Sequence, residues 1–440
     1  MALSKIFGNL DDWLNYIEEL HSAEIELGLN RVNKVFFRLF SGKFSCRVIT
    51  VGGTNGKGST CAFIERILLN AGYRCGKHTS PHILNFNERI VVNDENAHDS
   101  QLMKAFEKVE HFRKDTLLTY FEFTFLAALV VFQEENLDFA ICEVGMGGRL
   151  DAVNILSPEV SLITNIGLDH VQWLGETRAE IALEKVAISR EKKPCVIGDS
   201  DFPISARQYL LDNNVVSLLC GDDYTIEISD DNWQLKVEHE AQQIFSFTRD
   251  CLQLLPKLDT DHQYQNASCA ILAVLSLQNV RLDPMHIKTA LINNHLPARC
   301  QILQEKPYII VDVAHNPDSV SALSQFVASR EFFLDEGSNA KIIAVVSMLD
   351  DKDINNSLNK ISGKIYEWHV AELNVVRAAS QEKIINAIQA SQKNAKIYQH
   401  EQLTIAFDAA KKSLKSKDCL LVFGSFFAVS DILRNYKNDQ

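Results

Sequence analysis

One stretch near the start of the chain limits its architecture more than any other. The apolar run Arg47 to Val51 leads into Gly52-Gly53-Thr54-Asn55-Gly56-Lys57-Gly58-Ser59-Thr60, and a helical pattern with Ile64, Ile67 and Leu68 on one face follows. Strand, glycine loop and helix in that order can cradle a phosphate. Glycines let backbone N–H groups turn inward on an anion, the helix N-terminus adds positive potential, and a lysine brings a mobile charge to the terminal phosphates. Thr54 to Thr60 are therefore candidate nucleotide contacts, and the helix is predicted to end at Ala71-Gly72. The general G-x-x-x-x-G-K-[ST] pattern is not met, because position 51 is Val and Gly58 separates Lys57 from Ser59. The extra glycine moves the hydroxyl that ordinarily holds Mg²⁺, so a metal ligand is expected from elsewhere.

Further apolar runs recur with helical stretches between them: Phe139 to Val144, Val160 to Thr164, Ile309 to Val313, Ile342 to Val346 and Leu420 to Phe423. Strands apolar on both faces imply a covered, mostly parallel sheet. The predicted fold is α/β: a doubly wound, mostly parallel sheet domain built on the phosphate loop, plus a smaller Rossmann-like α/β domain at the C-terminus. The segment Asn293 to Arg299, with Pro297, follows a helical pattern and precedes a new strand, which places the boundary between residues 1–295 and 296–440. A polar stretch around 220–250, alternating over Tyr224 to Val237, reads as a small β excursion inside the first domain. A helix is predicted over Leu10 to Leu20, and Phe123 to Phe132 is read as a buried helix, being too short to cross a bilayer.

Composition narrows the function. A formal net charge of −13 argues against broad nucleic-acid binding, which needs a basic face, and an anionic ligand must be held by focused donors or metal. The ten cysteines are scattered singly with no C-x-x-C pair, so they read as reduced core thiols rather than a zinc or redox site. No secretory leader or membrane span is expected, which predicts a cytoplasmic enzyme with no membrane partner.

Two more strand ends carry chemistry. Glu143 lies near the end of one run, before Gly145-Met146-Gly147-Gly148-Arg149-Leu150-Asp151-Ala152, and the next run ends in Thr164-Asn165-Ile166-Gly167-Leu168-Asp169-His170. Ligands of open α/β sheets bind at the C-terminal ends of the strands, and Mg²⁺ takes one or two carboxylates with phosphate and water. Glu143 is thus a metal candidate, with a salt-bridged edge residue as its alternative, and His170 is open between ligand and structural roles. Glu184 and Lys185, within the helical pattern Ala179 to Ile188, read by themselves as a solvated helical face.

Together these residues resemble the folylpolyglutamate synthase family, related to the Mur peptidoglycan ligases, over nearly the whole chain. Gly53 to Thr60 is similar to its phosphate loop, including the glycine between lysine and hydroxyl. Thr79-Ser80-Pro81-His82, Glu143 to Ala152 and Asp312-Val313-Ala314-His315-Asn316-Pro317 are similar to three further motifs in the same order. The resemblance implies ATP and Mg²⁺, with two Mg²⁺ ions and K⁺ as expected cofactors. It implies Ser80, Glu143 and His170 as metal ligands, and a carbamylated Lys185 able to hold a second metal. Here Glu184-Lys185-Val186-Ala187-Ile188 departs from the commoner E-K-A-G-I. It also implies Asn266, Arg299 and Asp312 as ATP contacts, Lys57, Lys185 and His315 as catalytic residues, and His315 and Asn316 on a loop facing a cleft between domains. Arg299 sits in Leu296-Pro297-Ala298-Arg299 where the family usually has L-P-G-R, and Phe427 stands where some relatives have His.

Bifunctional bacterial members also bind dihydropteroate. By that likeness the acceptor segments are Ile25-Glu26-Leu27-Gly28, Thr119-Tyr120-Phe121-Glu122 and Leu150-Asp151-Ala152. Phe121 would stack on a pterin and Asp151 accept its ring N–H groups, although Tyr120 and Phe121 fit core packing at a helix start equally well. The implied activity is ATP-dependent ligation of L-glutamate to dihydropteroate and to tetrahydrofolates through an acyl phosphate, by a monomer. Folylpolyglutamate synthesis alone and Mur-type ligation remain alternatives. A guanine-nucleotide switch is disfavoured, since Asn33-Lys34 and Asn359-Lys360 lack the Asp of N-K-x-D.

Overall fold

In the computed structural model the described residues are 7–22, 25–239, 241, 252–292, 296–329 and 340–438. Six residues rich in Val and Ile form β1 (Arg47–Gly52), and nearly every side chain on it is buried, as a strand covered on both faces requires. After the loop comes α3 (Lys57–Asn70), preceded in the chain by α1 (Leu10–Glu19) and α2 (Asn30–Phe40). The first sheet adds β2 (Cys75–His78), β3 (Ile90–Val92), β4 (Glu95–Asn96), β5 (Phe139–Glu143), β6 (Val160–Ile163), β7 (Pro194–Ile197) and β8 (Val216–Leu219). Its eight strands run in the order β4-β3-β2-β5-β1-β6-β7-β8, with β2, β5, β1, β6, β7 and β8 mutually parallel.

That order decides where the chemistry falls. β1 lies between β5 and β6, with Val51 opposite Glu143 and Gly52 opposite Ile163, while β2 flanks β5 with His78 opposite Cys142. The phosphate loop, Glu143, Ser80 and the Thr164 to His170 segment therefore leave the same sheet edge on four neighbouring strands. Such an edge, where crossover helices diverge to opposite faces, is the usual ligand crevice of a doubly wound sheet.

Covering helices include α4 (Asp99–Arg113), α5 (Tyr120–Glu134), α6 (Val171–Leu174), α7 (Arg178–Val186), α8 (Ile204–Asp212) and α9 (Asp261–Leu275). Helix α5 is buried from Glu122 through Phe132, so the longest apolar run is core. Among the described residues no helix is long and apolar enough to cross a membrane. The alternating stretch after residue 220 forms β9 (Tyr224–Ile228) and β10 (Asn232–Val237), which join β11 (Leu255–Pro256) in an antiparallel three-stranded sheet. Residues 242–251 of that stretch, Cys251 included, lie outside the described residues.

The chain divides into two compact units, the division falling between Asn294 and His295, with Ile83–Asn85 and Asp259–Asp261 grouped with the second. Asn293 to His295 of the expected boundary segment lie outside the described residues. The second unit carries β12 (Gln301–Glu305), β13 (Tyr308–Val311), β14 (Ile342–Val346), β15 (Glu367–Ala371), β16 (Lys396–His400) and β17 (Cys419–Phe423). Its sheet order is β12-β13-β17-β14-β15-β16, parallel except for the edge strand β12. The described cysteines are free thiols, and Cys46, Cys61, Cys75, Cys142, Cys195, Cys269 and Cys419 are buried.

Candidate active site

The phosphate loop is held by the end of β6. Thr54 N–H donates to the Asn165 carbonyl at 3.0 Å and Asn55 N–H to Asn165 Oδ1 at 2.8 Å, while Thr164 Oγ1 donates to the Asn55 carbonyl at 2.6 Å. Gly56 caps α3 in the left-handed region (φ 80°), where a side chain is strained. A Cβ there would also lie 2.2 Å from Asn266 Oδ1 on α9, so the position must be bare for Asn266 to touch the loop. Thr60 Oγ1 returns to the Gly56 carbonyl at 3.0 Å, and Lys57 Nζ donates to the Thr54 carbonyl at 3.1 Å, folded over its own loop. Asn165 and Thr164 are loop supports that sequence reasoning missed; their signal was a polar pair just past an apolar strand.

On the other side of β1, Glu143 is buried and accepts the Ser80 N–H at 3.1 Å. A Cβ on Gly58 would lie 3.5 Å from Glu143 Oε2, so the carboxylate stands against the start of α3. His170 occupies the left-handed region (φ 52°) at the start of α6, its backbone N–H donating to Asp169 Oδ1 at 2.9 Å. Ser80, Glu143 and the phosphate loop are thus neighbours, with His170 on the loop that leaves the adjoining strand. Among the described residues no three His, Cys, Asp or Glu side chains gather as a metal-holding group. This donor set fits a hard cation completed by phosphate and water, which needs only one or two carboxylates.

Lys185 is where pattern and resemblance point in different directions. Its helix pattern alone reads as solvated, whereas the family resemblance makes it a site residue; it is 5% exposed and its Nζ donates to the Gly53 carbonyl at 3.0 Å. The close fit of α7 against the third motif explains this. A Cβ on Gly148 would lie 2.7 Å from the Glu184 carbonyl, so only glycine lets the helix approach. Burial, then the neighbouring Lys57 charge, lower its pKa to about 7 against the opposing pull of Asp169 and Asp151. Glu184 is half-buried and paired with the exposed Arg149 at 2.8 Å.

The acceptor segments meet. Gly28 N–H donates to the Leu150 carbonyl at 3.2 Å, and Arg31 Nε donates to Glu122 at 2.8 Å while its Nη groups bond the Glu26 side chain and carbonyl. Arg31, unnoticed in the sequence, is the clasp that joins two of them. Thr119 and Glu122 form a capping box on α5, and Asp151 accepts N–H groups from Met146 and Val153, each at 2.9 Å. Burial pushes the Asp151 carboxyl up to about 6, against those backbone donors. Phe121 lies parallel to Phe125 with centroids 6.4 Å apart, and His78, fully buried, meets both edgewise at 5.6 and 5.3 Å.

In the second unit Asp312 follows β13, its carboxylate accepting the Cys300 and Ala314 N–H groups at 2.6 and 2.7 Å. Arg299 lies over the Phe426 ring at 5.1 Å. Ala298, at the position of the altered glycine, is buried in the left-handed region (φ 56°). His315 Nδ1 lies 2.9 Å from the Val313 carbonyl, and Asn316 caps the following helix through Ser319 N–H at 3.0 Å.

A glycine loop closing a parallel strand onto a helix, with a buried acid on the adjacent strand, marks a nucleotide-dependent α/β enzyme. Comparison with known proteins narrows the class. The Mur ligase middle domain matches residues 51–274 and the Mur ligase glutamate ligase domain residues 298–426. A dihydrofolate synthase/folylpolyglutamate synthase of Buchnera aphidicola is 36% identical, covering 97% of this chain and 98% of its own. Escherichia coli FolC in complex with DHPP and ADP superposes with a TM-score of 0.89 at 34% identity, covering 98% of each chain. A bifunctional folylpolyglutamate synthase/dihydrofolate synthase with Mn, AMPPNP and L-glutamate bound gives a TM-score of 0.87 at 34% identity, covering 99% of this chain and all of the other. The chain belongs to the dihydrofolate synthase/folylpolyglutamate synthase family of Mur-type ligases.

Proposed function

We propose that this protein is an ATP-dependent amide ligase that joins L-glutamate to dihydropteroate, forming dihydrofolate, and to reduced folates, extending a polyglutamate tail. Likeness over the full chain to bifunctional enzymes supports the activity, and the meeting of the three acceptor segments is the observation that carries the dihydropteroate reading.

A carboxylate is a poor electrophile because its charge is delocalised. One of its oxygens therefore attacks the γ-phosphorus of ATP, breaking the bond to the β-phosphate bridge and leaving ADP and an acyl phosphate. The neutral amine of glutamate then attacks the acyl carbon, and inorganic phosphate departs as the amide forms. Catalysis of this kind is chiefly positioning and charge stabilisation. Lys57 would swing from the Thr54 carbonyl to the terminal phosphates, and the N–H groups of Thr54 to Thr60 with Asn266 would hold the nucleotide. Arg299, Asp312 and His315 are assigned to nucleotide binding and catalysis on their motifs. Ser80, Glu143 and His170 would hold Mg²⁺, which offsets charge on the phosphates. The buried Lys185, poised to be neutral near pH 7, is suited to carbamylation and so to a second metal. A K⁺ ion is also assigned on family likeness.

Product mass tests the reading. Incubation with ATP and glutamate should add one glutamyl residue to dihydropteroate and one or more to tetrahydrofolate, each with release of ADP. Product from tetrahydrofolate alone would leave a folylpolyglutamate synthase, and product from neither would remove the assignment.

A further inference from the structure

Arg89 ends a short 3-10 turn, Phe86–Arg89, between the Ser80 motif and β3. Its carbonyl accepts the Thr79 N–H at 3.0 Å, and its Nε donates to His82 Nδ1 at 2.8 Å, so the Thr79 to His82 motif wraps around it. The guanidinium lies 5.6 Å from the Tyr120 ring centroid and 5.8 Å from that of Phe86. Among the described residues no carboxylate lies within ion-pair distance of it, and its Nη groups donate to none of them. A partly buried cation walled by aromatic rings, with its two-pronged face unspent, is a costly arrangement unless an anion completes it. Burial indeed pulls the guanidinium below its ordinary value, opposed by Tyr120, then Glu143 and Glu88.

The planar fork of an arginine matches a carboxylate through two parallel N–H bonds. Tyr120 belongs to an acceptor segment, and Ser80 and Glu143 are the ligands assigned to Mg²⁺, so an anion on Arg89 would sit beside both. We propose that Arg89 binds the carboxylate of the acceptor, the group that is phosphorylated. This rests on the reading under Proposed function and deepens it. Arg89 would orient the attacking oxygen while the aromatic rings exclude water.

The test is a binding comparison with two ligands, dihydropteroate and the same molecule lacking its carboxyl group. Wild-type enzyme should prefer the carboxylated ligand. In Arg89→Ala that preference should fall by about tenfold or more, as expected for losing a charge-assisted pair, with Arg89→Lys recovering part of it and ADP affinity staying within about twofold. A purely structural arginine would weaken both ligands in parallel, leaving their ratio unchanged, and that result overturns the proposal. So does a selective loss of ADP affinity, which would give the arginine to the nucleotide. Wild-type enzyme that binds neither ligand would instead fail the functional reading itself.

Discussion

The phosphate loop and the acceptor segments lie in the same unit, yet they spend their polar groups differently. Around the loop, support comes from residues outside it: Asn165 and Thr164 bond its backbone and Asn266 packs against Gly56, while the Lys57 side chain keeps one bond to its own loop. In the acceptor segments the candidate ligands are themselves the scaffold. Glu122 caps α5 and binds Arg31, and Asp151 caps the turn after Leu150. A side chain in the first region can be removed without disturbing its frame, whereas one in the second takes some frame with it.

The largest expected effect tests the first half of that contrast. Lys57→Ala should lower kcat at least about 100-fold, or ~2.7 kcal/mol of transition-state stabilisation, while thermal unfolding moves by no more than about 2 °C. A large drop in Tm would show that the lysine also frames the loop. Asp151→Ala should do both things at once. Losing the acceptor of two backbone N–H groups costs about 1–3 kcal/mol of stability, and KM for dihydropteroate should rise while KM for ATP holds. Unchanged Tm with raised KM would mean that the cap is dispensable and the contrast too sharp.

Lys185 belongs to neither class, being a buried cation beside a second one. With its pKa lowered to about 7, the amine is neutral above that value and protonated below it. Labelled bicarbonate should therefore yield a carbamate carbon signal at neutral and higher pH that fades as pH falls below about 7, and Lys185→Met should lack it. The uncarbamylated enzyme carries a linked signature. Its unfolded chain binds the extra proton between about 7 and the ordinary lysine value of 10.5, so stability should rise with pH across that window, and Lys185→Met should lose the slope.

The smallest effect sits in the second unit. Ala298 adopts a conformation that costs an L-residue roughly 1–2 kcal/mol, against roughly 0.4–1 for the unfolded-state freedom glycine would add. Ala298→Gly should stabilise the protein by about 0.5–1 kcal/mol in urea unfolding. The same departure from L-P-G-R was visible in the sequence; its left-handed backbone was not.

What the sequence made legible follows the same division. Strands apolar on both faces were readable because period and burial agree there, and the loop because glycine and lysine are required by its geometry. Periodicity alone left Lys185 on a solvated face, because a helix exposes three sides and only packing chooses which one faces inward; the deciding residue, Gly148, lies far along the chain. Arg31 and Arg89 carried no pattern at all. Their meaning comes from what lies opposite: carboxylates for Arg31, and for Arg89 two rings and a histidine. Three strand ends were predicted to carry chemistry, with Ser80 placed by the family resemblance alone, but the strand order that makes all four neighbours is a property of crossover connections.

The contact between Gly56 and Asn266 has a consequence for the order of events during synthesis. A loop near the beginning of the chain takes its shape against a helix that begins at Asp261. Closing so long a span is slow relative to forming α3 from local contacts, and a ribosome releases the early strands well before the late helix. A nascent chain that already has its glycine turn is therefore still without one wall of the proposed nucleotide site. Cellular ATP, abundant throughout translation, would meet a finished form of the proposed site only after the helix that carries Asn266 docks, so the nucleotide can act as a late clamp on the folded unit rather than an early template for it.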